Sequence, residues 1–357
     1  MVDRKRSRRR ATNAPFSHPM RDGGNSTSAA SHAPLEHEIK TVMNGLEVSN
    51  LTKRYGEQTV VDDLSFHVEQ GEIFGLIGPN GAGKSTSMMM IVGLLQADSG
   101  SITFDGQLYN PHNAEMRSRL GLVPQELAIY PELTALQNLR FFGGLYGLHG
   151  RRLQDRVDYV LELTGLTRNA NHTPSTFSGG MSRRLNFGVA LLHEPRFVVL
   201  DEPTVGIDPQ SRSNLLDGVR ELSRQGVGVL YASHYMEEIE AVCHRVAIID
   251  HGRLLRQGTL DEIMDRTQLE LCVTVPTLSA DLITQLRTNA EVSPNLDGHM
   301  SVVIRETVGG QQDKRPSRLR TILEILENAM TPVLGIRTQN MSLETTFLSL
   351  TGRTLRD

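Results

Sequence analysis

Two acidic residues, Asp201 and Glu202, stand side by side at the end of an apolar run in EPRFVVLDEPTVGIDP, residues 194–209. The segment 196–200 before them is almost entirely apolar, which predicts a buried strand. Adjacent carboxylates repel one another unless a cation or a reactive group lies close to them. The pair therefore predicts a site at the end of this strand.

A glycine-rich segment, GPNGAGKST at 78–86, fits the pattern G-x-x-x-x-G-K-[ST]. Glycines let consecutive backbone N–H groups point at phosphate oxygens, and the helix that opens here adds its positive N-terminal end. Lys84 is expected to reach the β and γ phosphates of ATP, and the Ser85 hydroxyl to ligate Mg²⁺. The alternative, a fortuitous glycine-rich turn, is disfavoured because the motif follows a predicted strand and precedes a predicted helix. The predicted phosphate-binding residues are Gly78, Pro79, Asn80, Gly81, Ala82, Gly83, Lys84, Ser85 and Thr86.

The phosphate loop explains the acidic pair. Ligands of open parallel sheets bind at the carboxyl ends of the strands, where Asp201 is expected. We therefore predict that Asp201 holds Mg²⁺, and that Glu202 orients or deprotonates the water that attacks the γ-phosphate. On this interpretation the cation between the two acids is Mg²⁺.

The elements that position these residues alternate between strands and helices. Apolar segments at 72–78, 120–125, 197–200 and 227–233 predict strands, and those at 87–96, 153–166, 213–226 and 236–243 predict helices. This alternation predicts an α/β fold with a mainly parallel sheet. Segments 46–56, 58–71 and 101–108 predict an antiparallel β subdomain, residues 132–172 a helical subdomain, and 245–258 a hairpin.

Further motifs resemble those of the ATP-binding cassette (ABC) ATPases, which are P-loop NTPases. TFSGGMSRRL at 176–185 resembles the signature loop LSGGQ, with Phe177 in place of leucine and Met181 in place of glutamine. The resemblance covers residues 46–260 and includes the phosphate loop and LDEP. The other residues that match the family's motifs are Ser178, Gly179 and Gly180 of the signature, Gln125 after LGLVP, Asp208 in VGIDPQ, His234 in YASHYMEE and Tyr55 in KRYG.

The resemblance implies a role for each of these residues. Gln125 would sense Mg²⁺ and the γ-phosphate as a metal ligand, His234 would contact the γ-phosphate as a catalytic residue with Glu202 and Lys84, and Tyr55 would stack on adenine. The signature loop of one subunit would bind the ATP held by the other, with Asp208 at the junction. The chain would therefore act as a homodimer, or with a partner cassette, that ATP closes and hydrolysis reopens.

Two of these residues also have a simpler interpretation. Tyr55 could be an ordinary strand aromatic, and His234 could be a helix cap. Cys243 and His244 are too few to form a metal site, and the run Met88–Met90 is best explained by helix packing.

The closing residues SLETTFLSLTGRTLRD, together with SGGMSRRL and DEPTVGIDPQSR, resemble export ATPases of the drug and lipo-oligosaccharide class, which includes the nodulation-factor exporters. This implies an ATP-hydrolysing subunit at the cytoplasmic face of the inner membrane, peripheral to a separate permease. The alternative is a soluble ABC ATPase acting on ribosomes or DNA. A catalytically inactive module conflicts with the presence of Lys84, Asp201, Glu202 and His234.

Composition limits the other possibilities. A net charge of −4 argues against a general nucleic-acid binder, and the longest apolar run, residues 88–95, is far shorter than the roughly 20 residues of a membrane span. Two distant cysteines indicate no disulfide scaffold. We expect a basic, disordered tail over 1–45, with Met43 as an alternative start, a cassette over 46–268 and a small α/β C-terminal accessory domain, of split βαβ type, over 269–357.

Overall fold

The computed structural model of the chain describes residues 44–264, 268–295, 297–307, 318–340 and 342–352. The predicted N-terminal tail, apart from Asn44 and Gly45, and the predicted polar loop at 308–317 lie outside these residues. Within the described part, every helix is too short or too polar to span a bilayer.

The described elements follow one another in the order that the sequence predicts for most of the chain. The strands are β1 (Gly45–Tyr55), β2 (Gln58–Glu69), β3 (Ile73–Ile77), β4 (Ser99–Phe104), β5 (Gln107–Leu108), β6 (Leu120–Val123), β7 (Phe197–Asp201), β8 (Gly228–Ala232), β9 (Arg245–Asp250), β10 (Arg253–Thr259), β11 (Gln268–Val275), β12 (Glu291–Pro294), β13 (Met300–Thr307) and β14 (Gly335–Asn340). The helices are α1 (Lys84–Ile91), α2 (Ala114–Arg117), α3 (Ala135–Leu145), α4 (Gly150–Leu163), α5 (Gly179–Val189), α6 (Pro209–Arg224), α7 (Met236–Val242), α8 (Leu260–Met264), α9 (Ala280–Leu286), α10 (Arg318–Asn328) and α11 (Leu343–Thr351).

The central sheet has the strand order β10-β9-β3-β8-β7-β6. All its neighbouring pairs are parallel except β10 and β9, which form the predicted antiparallel hairpin. Strands β3 and β8 are buried along their whole length, which is why their sequences are continuous apolar runs rather than alternating ones. The predicted α/β fold with a mainly parallel sheet is confirmed.

A second sheet, β2-β1-β4-β5, is antiparallel and packs with α1 against one face of the central sheet, in a shared apolar cluster. A turn at Asp105 and Gly106 joins β4 to β5, with both residues in the left-handed region at φ 50° and 74°. The helix predicted over 87–96 is wrong at both ends, because α1 begins at Lys84 and ends at Ile91. Gly93 has a φ of 75°, which a helix cannot accommodate.

The predicted helical subdomain contains α3 and α4. Helix α3 begins with a capping box, in which the Thr134 side chain accepts from the backbone N–H of Gln137 and the Gln137 side chain accepts from that of Thr134. Helix α4 buries Val157, Val160 and Leu161 on one face. These buried residues belong to the same core cluster as the central sheet.

The C-terminal sheet is antiparallel and has the order β12-β13-β11-β14. Its chain order, strand-helix-strand-strand-helix-strand, is the predicted split βαβ arrangement. Strand β12 was not predicted, because it is short, ends in Pro294 and has only Val292 buried. Its side chains therefore do not alternate enough to indicate a strand.

Helix α11 leaves the C-terminal sheet and packs against the cassette. Leu343 and Phe347 are fully buried in the core cluster that includes Val242 of α7 and Met264 of α8. The backbone N–H of Leu343 donates a 2.8 Å hydrogen bond to Glu240 Oε1. The predicted boundary between a cassette and an accessory domain at residue 268 stays a prediction. Helix α11 packs into the core of the cassette, although it lies in the range predicted for the accessory domain.

Replacing Phe347 with alanine tests this packing. Because Phe347 is 1% exposed, we expect Phe347→Ala to lower the free energy of unfolding by about 3–5 kcal/mol, measured by urea titration of the full chain. Leu350→Ala is the matched control on the same helix, since Leu350 is 39% exposed and should cost less than about 1 kcal/mol. Equal small losses for the two variants would contradict the docking of α11.

Candidate functional site

The phosphate loop connects β3 to α1, as the motif requires. Gly81 and Gly83 have φ values of 80° and 99°, in the left-handed region that glycine adopts without strain. A Cβ atom on Gly83 would also come within 2.6 Å of the Val60 carbonyl oxygen. Both positions therefore favour glycine for the backbone turn, and Gly83 also requires it for the close approach of β2.

Lys84, the first residue of α1, lies inside the loop and is 6% exposed. Its Nζ donates to the carbonyl oxygens of Gly78 at 2.7 Å and Pro79 at 3.1 Å. Burial lowers the pKa of the Lys84 ammonium, and the nearby carboxylates of Glu202 and Asp201 act in the opposite direction. The loop thus holds a buried cation whose donors can turn to phosphate oxygens.

Asp201 and Glu202 have different partners, which explains how two adjacent acids coexist. Asp201 ends β7, and a hydrogen bond with the Ser85 side chain partly offsets the rise in its pKa that burial causes. Glu202 has a φ of 47°, and its backbone N–H donates to the Ala232 carbonyl at 3.0 Å. A left-handed residue with a side chain costs roughly 1–2 kcal/mol. This turn takes Glu202 out of the strand.

The residues at Asp201 fit a divalent cation. Its Oδ1 atom is buried and has no hydrogen-bond partner among the described residues. A buried carboxylate oxygen without a partner, next to a hydroxyl, suits Mg²⁺, which takes few protein ligands and keeps phosphate oxygens and water for the rest. No cluster of three or more His, Cys, Asp or Glu side chains able to hold a metal occurs in the described part of the chain.

Glu202 is contacted from two neighbouring loops through one oxygen. Gln125 Nε2 donates to Glu202 Oε2 at 3.1 Å, and His234 Nδ1 lies 3.4 Å from the same atom. Arg183 of α5 donates to the backbone carbonyl of Gln125. The helix-cap interpretation of His234 is therefore insufficient, since its ring faces the carboxylate.

These side chains surround a cavity of about 510 Å³. Among the predicted site residues, the structure brings together at this cavity Asn80, Gly81, Gly83, Lys84, Ser85, Thr86, Gln125, Glu202 and His234. Gly78, Pro79 and Ala82 are buried in the loop itself. Asp201 is not among the lining residues, so the only carboxylate that the described part of the chain places at the cavity is that of Glu202. The ammonium of Lys84, the hydroxyls of Ser85 and Thr86, and backbone amides can hold a polyphosphate. Glu202 can then hold a water molecule beside it.

Tyr55 does not line this cavity. It ends β1, where it pairs with Gln58, and its side chain is 51% exposed. Lys53 Nζ lies 5.8 Å from the centre of its ring. An exposed ring at a strand end is compatible both with an ordinary strand aromatic and with stacking on adenine, so the role of Tyr55 stays a prediction.

The signature loop and Asp208 lie together, away from the cavity lining. Ser178 is the N-cap of α5 and accepts from the Met181 N–H at 3.2 Å, while Asp208 is the N-cap of α6 and accepts from the Ser211 N–H at 2.9 Å. Hydrogen bonds from Ser211 lower the pKa of the Asp208 carboxyl. Gly180 lies against Ser211 so closely that a Cβ atom there would overlap with it. Two helix N-termini therefore point outward side by side, and Ser178 and Gly179 are exposed.

The two departures from the signature pattern fit the local packing. Phe177 and Met181 are partly buried and pack against the main core cluster. An apolar side chain of either kind satisfies that environment.

Two groups behind the site were not singled out from the sequence. Glu238 is 2% exposed and its carboxylate accepts hydrogen bonds from Thr204, Tyr231 and Ser233. The available signal was its place beside Ile239 and four residues before Val242, on the apolar face of α7. The sequence around Arg183 has no pattern that would have predicted its contact with Gln125.

The neighbouring Cys243 and His244 are both part of the packed structure, and Cys243 is buried in the main core cluster. Burial raises the pKa of the Cys243 thiol. His244 Nδ1 accepts from the Ile73 N–H at 2.9 Å.

Comparison with known proteins identifies the family. The family model described as ABC transporter matches residues 61–205. The chain is 41% identical over 317 residues to the linearmycin resistance ATP-binding protein LnrL of Bacillus subtilis (strain 168), covering 87% of this chain and all of that protein. It is 36% identical over 313 residues to the Nod factor export ATP-binding protein I of Ralstonia nicotianae, covering 87% and 95%.

A solved structure agrees with these relatives. An ATP-binding cassette determined as a dimer in a post-hydrolysis state, bound to ADP and Pi, superimposes with a TM-score of 0.55 at 25% identity, covering 60% of this chain and 98% of that one. The similarities confirm the predicted ATP-binding subunit of export type and the predicted P-loop NTPase fold. None of them supports the ribosome or DNA alternative. From the order of its motifs, the geometry of its phosphate loop and its likeness to these relatives over most of its length, the chain belongs to the ABC transporter family of ATP-binding proteins and is an ATPase.

Proposed function

We propose that this ATPase works as a pair of cassettes that close on ATP and drive export through a separate permease. The observation that carries the proposal is the shared contact of Gln125 and His234 with Glu202 Oε2, at the edge of the cavity framed by the phosphate loop. Through this contact two loops, those of Gln125 and His234, act on one oxygen atom of Glu202, which lies on a third segment. Such an arrangement suits a reaction that must be triggered by a bound γ-phosphate.

The phosphate loop binds the ATP phosphates in this proposal. The backbone N–H groups of the loop and the N-terminus of α1 receive the anionic oxygens, and Lys84 exchanges its carbonyl partners for the β and γ phosphates. Ser85, Gln125 and Asp201 hold Mg²⁺. When bound, the ion neutralises charge that develops on the phosphates during transfer.

Glu202 orients the attacking water and receives its proton as the water oxygen bonds to the γ-phosphorus and the bond to ADP breaks. His234 lies where it can contact both the γ-phosphate and Glu202. The exposed ring of Tyr55 stacks on adenine, a contact worth roughly 1–3 kcal/mol by analogy with base stacking elsewhere.

The signature loop acts on the ATP of the opposite cassette. Ser178, Gly179, Gly180 and Asp208 lie at outward helix N-termini and do not line this chain's own cavity. A helix N-terminus favours a bound anion such as a γ-phosphate. The similar cassette solved as a dimer with ADP and Pi supports the pairing of two cassettes, and we propose that they pair head-to-tail, as a homodimer or with a partner cassette.

The permease contacts the helical subdomain, beside Gln125. Tyr130, Phe141 and Phe142 form one aromatic cluster, with ring centres 5.1–5.8 Å apart. Tyr130 and Phe141 are 45% and 42% exposed, and exposed Leu127 extends the surface towards Gln125. Exposed apolar clusters of this kind suit a protein partner. This docking would place the chain at the cytoplasmic face of the inner membrane.

Glu202→Gln tests the role of Glu202. The variant should bind MgATP with a Kd within about threefold of the original, and hydrolyse it at least about 100-fold more slowly, because the amide cannot take the proton. Dimers should accumulate with ATP in size-exclusion chromatography. Lys84→Ala is the contrasting control and should lose ATP binding itself. Turnover near that of the original chain would contradict the proposal for Glu202.

Mixing two inactive variants tests the exchange of residues between cassettes. Ser178→Arg and Lys84→Ala should each hydrolyse little ATP alone. Their mixture forms heterodimers with one complete site, so the rate should rise to at most about a quarter of the original for random pairing. A mixture no more active than its components, with hydrolysis independent of protein concentration, would show that each chain is complete by itself.

Phe141→Glu tests the permease surface. Tagged chain is captured from detergent-solubilised membranes of the native organism, where we expect a polytopic membrane protein to co-purify. The substitution should reduce that recovery at least about tenfold while the ATPase rate of the isolated chain stays the same. Leu108→Glu is the matched control, because Leu108 is 65% exposed on β5, and it should retain the partner. Equal recovery with Phe141→Glu would move the docking surface elsewhere.

A further inference from the structure

A buried carboxylate on α7 lies directly behind the candidate site. Glu238 is 2% exposed, and its Oε2 atom accepts hydrogen bonds from the hydroxyls of Thr204 at 2.7 Å, Tyr231 at 2.8 Å and Ser233 at 2.9 Å. Burial is the main cause that raises the pKa of the Tyr231 phenol, and Glu238 adds to it, so this hydroxyl remains a donor. Hydrogen bonds to a charged group are stronger than those between neutral groups, so the three donors are held firmly.

Two of the three donors belong to the loops that carry the site residues, and the third, Tyr231, lies in β8. Thr204 follows Glu202 by two residues, at the end of β7, and Ser233 immediately precedes His234, at the end of β8. The Ser233 hydroxyl also accepts from the backbone N–H of Tyr235 at 3.0 Å, so it holds the backbone on both sides of His234. One carboxylate oxygen therefore sets the positions of the loop that carries Glu202 and of the loop that carries His234.

The second oxygen of Glu238 faces the helix that follows Asp208. Arg212 Nε lies 3.2 Å from Glu238 Oε1, and the Arg212 N–H donates to the Asp208 carbonyl at 3.0 Å. Neither Arg212 Nε nor Glu238 Oε1 has a hydrogen-bond partner of good geometry among the described residues. Arg212 and Glu238 are thus held together by the attraction of opposite charges. Because Glu238 is buried, the energy of this attraction depends strongly on the distance between the two groups.

Arg212 also reaches the site by a second route. Its guanidinium lies 4.6 Å from the centre of the Tyr235 ring, which is itself 4.1 Å from the centre of the His234 ring. A shift of α6 would therefore change the surroundings of His234 by two routes, one through Glu238 and one through Tyr235.

We infer that Glu238 is a positioning residue that links the Asp208 end of α6 to the Glu202 and His234 loops. This inference rests on the proposed function, in which Asp208 meets the opposite cassette and Glu202 and His234 act on ATP. Contact at Asp208 moves α6, the Arg212–Glu238 separation changes, and the hydroxyls of Thr204 and Ser233 carry that change to the site. Hydrolysis thereby depends on pairing, while ATP binding at the phosphate loop does not.

Glu238→Gln tests this link with little change of shape. The amide offers one acceptor oxygen and places an N–H₂ donor where a carboxylate oxygen faced Arg212 or the hydroxyls. We expect kcat for ATP hydrolysis to fall at least about tenfold, while the Kd for MgATP stays within about threefold. Glu237→Gln is the matched control, with the same chemical change on the adjacent, exposed residue of α7, and its kcat should equal that of the original chain.

Thr204 separates positioning from packing, and it serves even where Glu238→Gln does not fold. Thr204→Val preserves the shape of the fully buried side chain and removes the hydroxyl, whereas Thr204→Ser keeps the hydroxyl and removes a methyl. Positioning requires Thr204→Ser to retain a kcat at least about fivefold higher than Thr204→Val. A packing role requires the reverse order.

The possible results distinguish a failure of the positioning role of Glu238 from a failure of the proposed function. Unchanged kcat in Glu238→Gln, parallel losses of kcat and MgATP affinity, or a lower kcat in Thr204→Ser than in Thr204→Val would overturn the positioning role. The proposed function survives all of these results provided that Glu202→Gln still binds MgATP without hydrolysing it. If Glu202→Gln hydrolyses ATP at the original rate, the proposed function fails whatever Glu238 does.

Discussion

The parallel register of β3, β7 and β8 is the constraint on which the candidate site depends. Leu76 of β3 and Asp201 of β7 are both paired with Ala232 of β8, so the three strands end at one level. The phosphate loop, the acidic pair and the His234 loop leave the sheet at that level, although up to about 150 residues of chain separate them. A slip in this register would displace Lys84, Glu202 and His234 from one another. Close packing on both faces of β3 and β8 opposes such a slip, because it would exchange side chains of different size in the core.

The site places opposite charges where burial disfavours each of them. Burial lowers the pKa of Lys84 and raises that of Asp201, while each group favours the charged form of the other. Glu202 adds backbone strain to this balance. Arrangements of this kind reduce the stability of the protein and prepare it for a charged ligand. The buried carboxylate of Glu238 extends the polar region into the core, where its hydroxyl partners compensate for its desolvation.

Local pattern accounts for most of the elements and much of the site. The phosphate loop was predicted from its glycine-rich motif, and the acidic pair from its place at the end of an apolar strand, where ligands of parallel sheets bind. Gln125 was predicted from the resemblance of LGLVPQ to the motif of the ABC ATPases. Strand β12 was not predicted because Val292 is its only buried residue. Helix α1 was predicted to extend beyond its end at Ile91 because Gly93 lies within an apolar run. The contact of Arg183 with Gln125 joins residues 58 positions apart and leaves no periodic trace in the sequence.

The identity and spacing of residues along this chain are sufficient to establish an ABC-type cassette, because its phosphate loop, signature and acidic pair are short segments whose chemistry depends on immediate neighbours. They do not establish which surfaces meet. Phe347 packs in the core of the cassette rather than in that of the C-terminal sheet. Glu238 accepts hydrogen bonds from hydroxyls of two loops, those of Thr204 and Ser233, and lies next to an arginine of a third element. Both facts depend on contacts between segments distant in sequence. An apolar or acidic residue in a helix has the same appearance in the sequence whatever partner it meets, so only the folded chain distinguishes a solvated glutamate such as Glu237 from the buried Glu238 beside it.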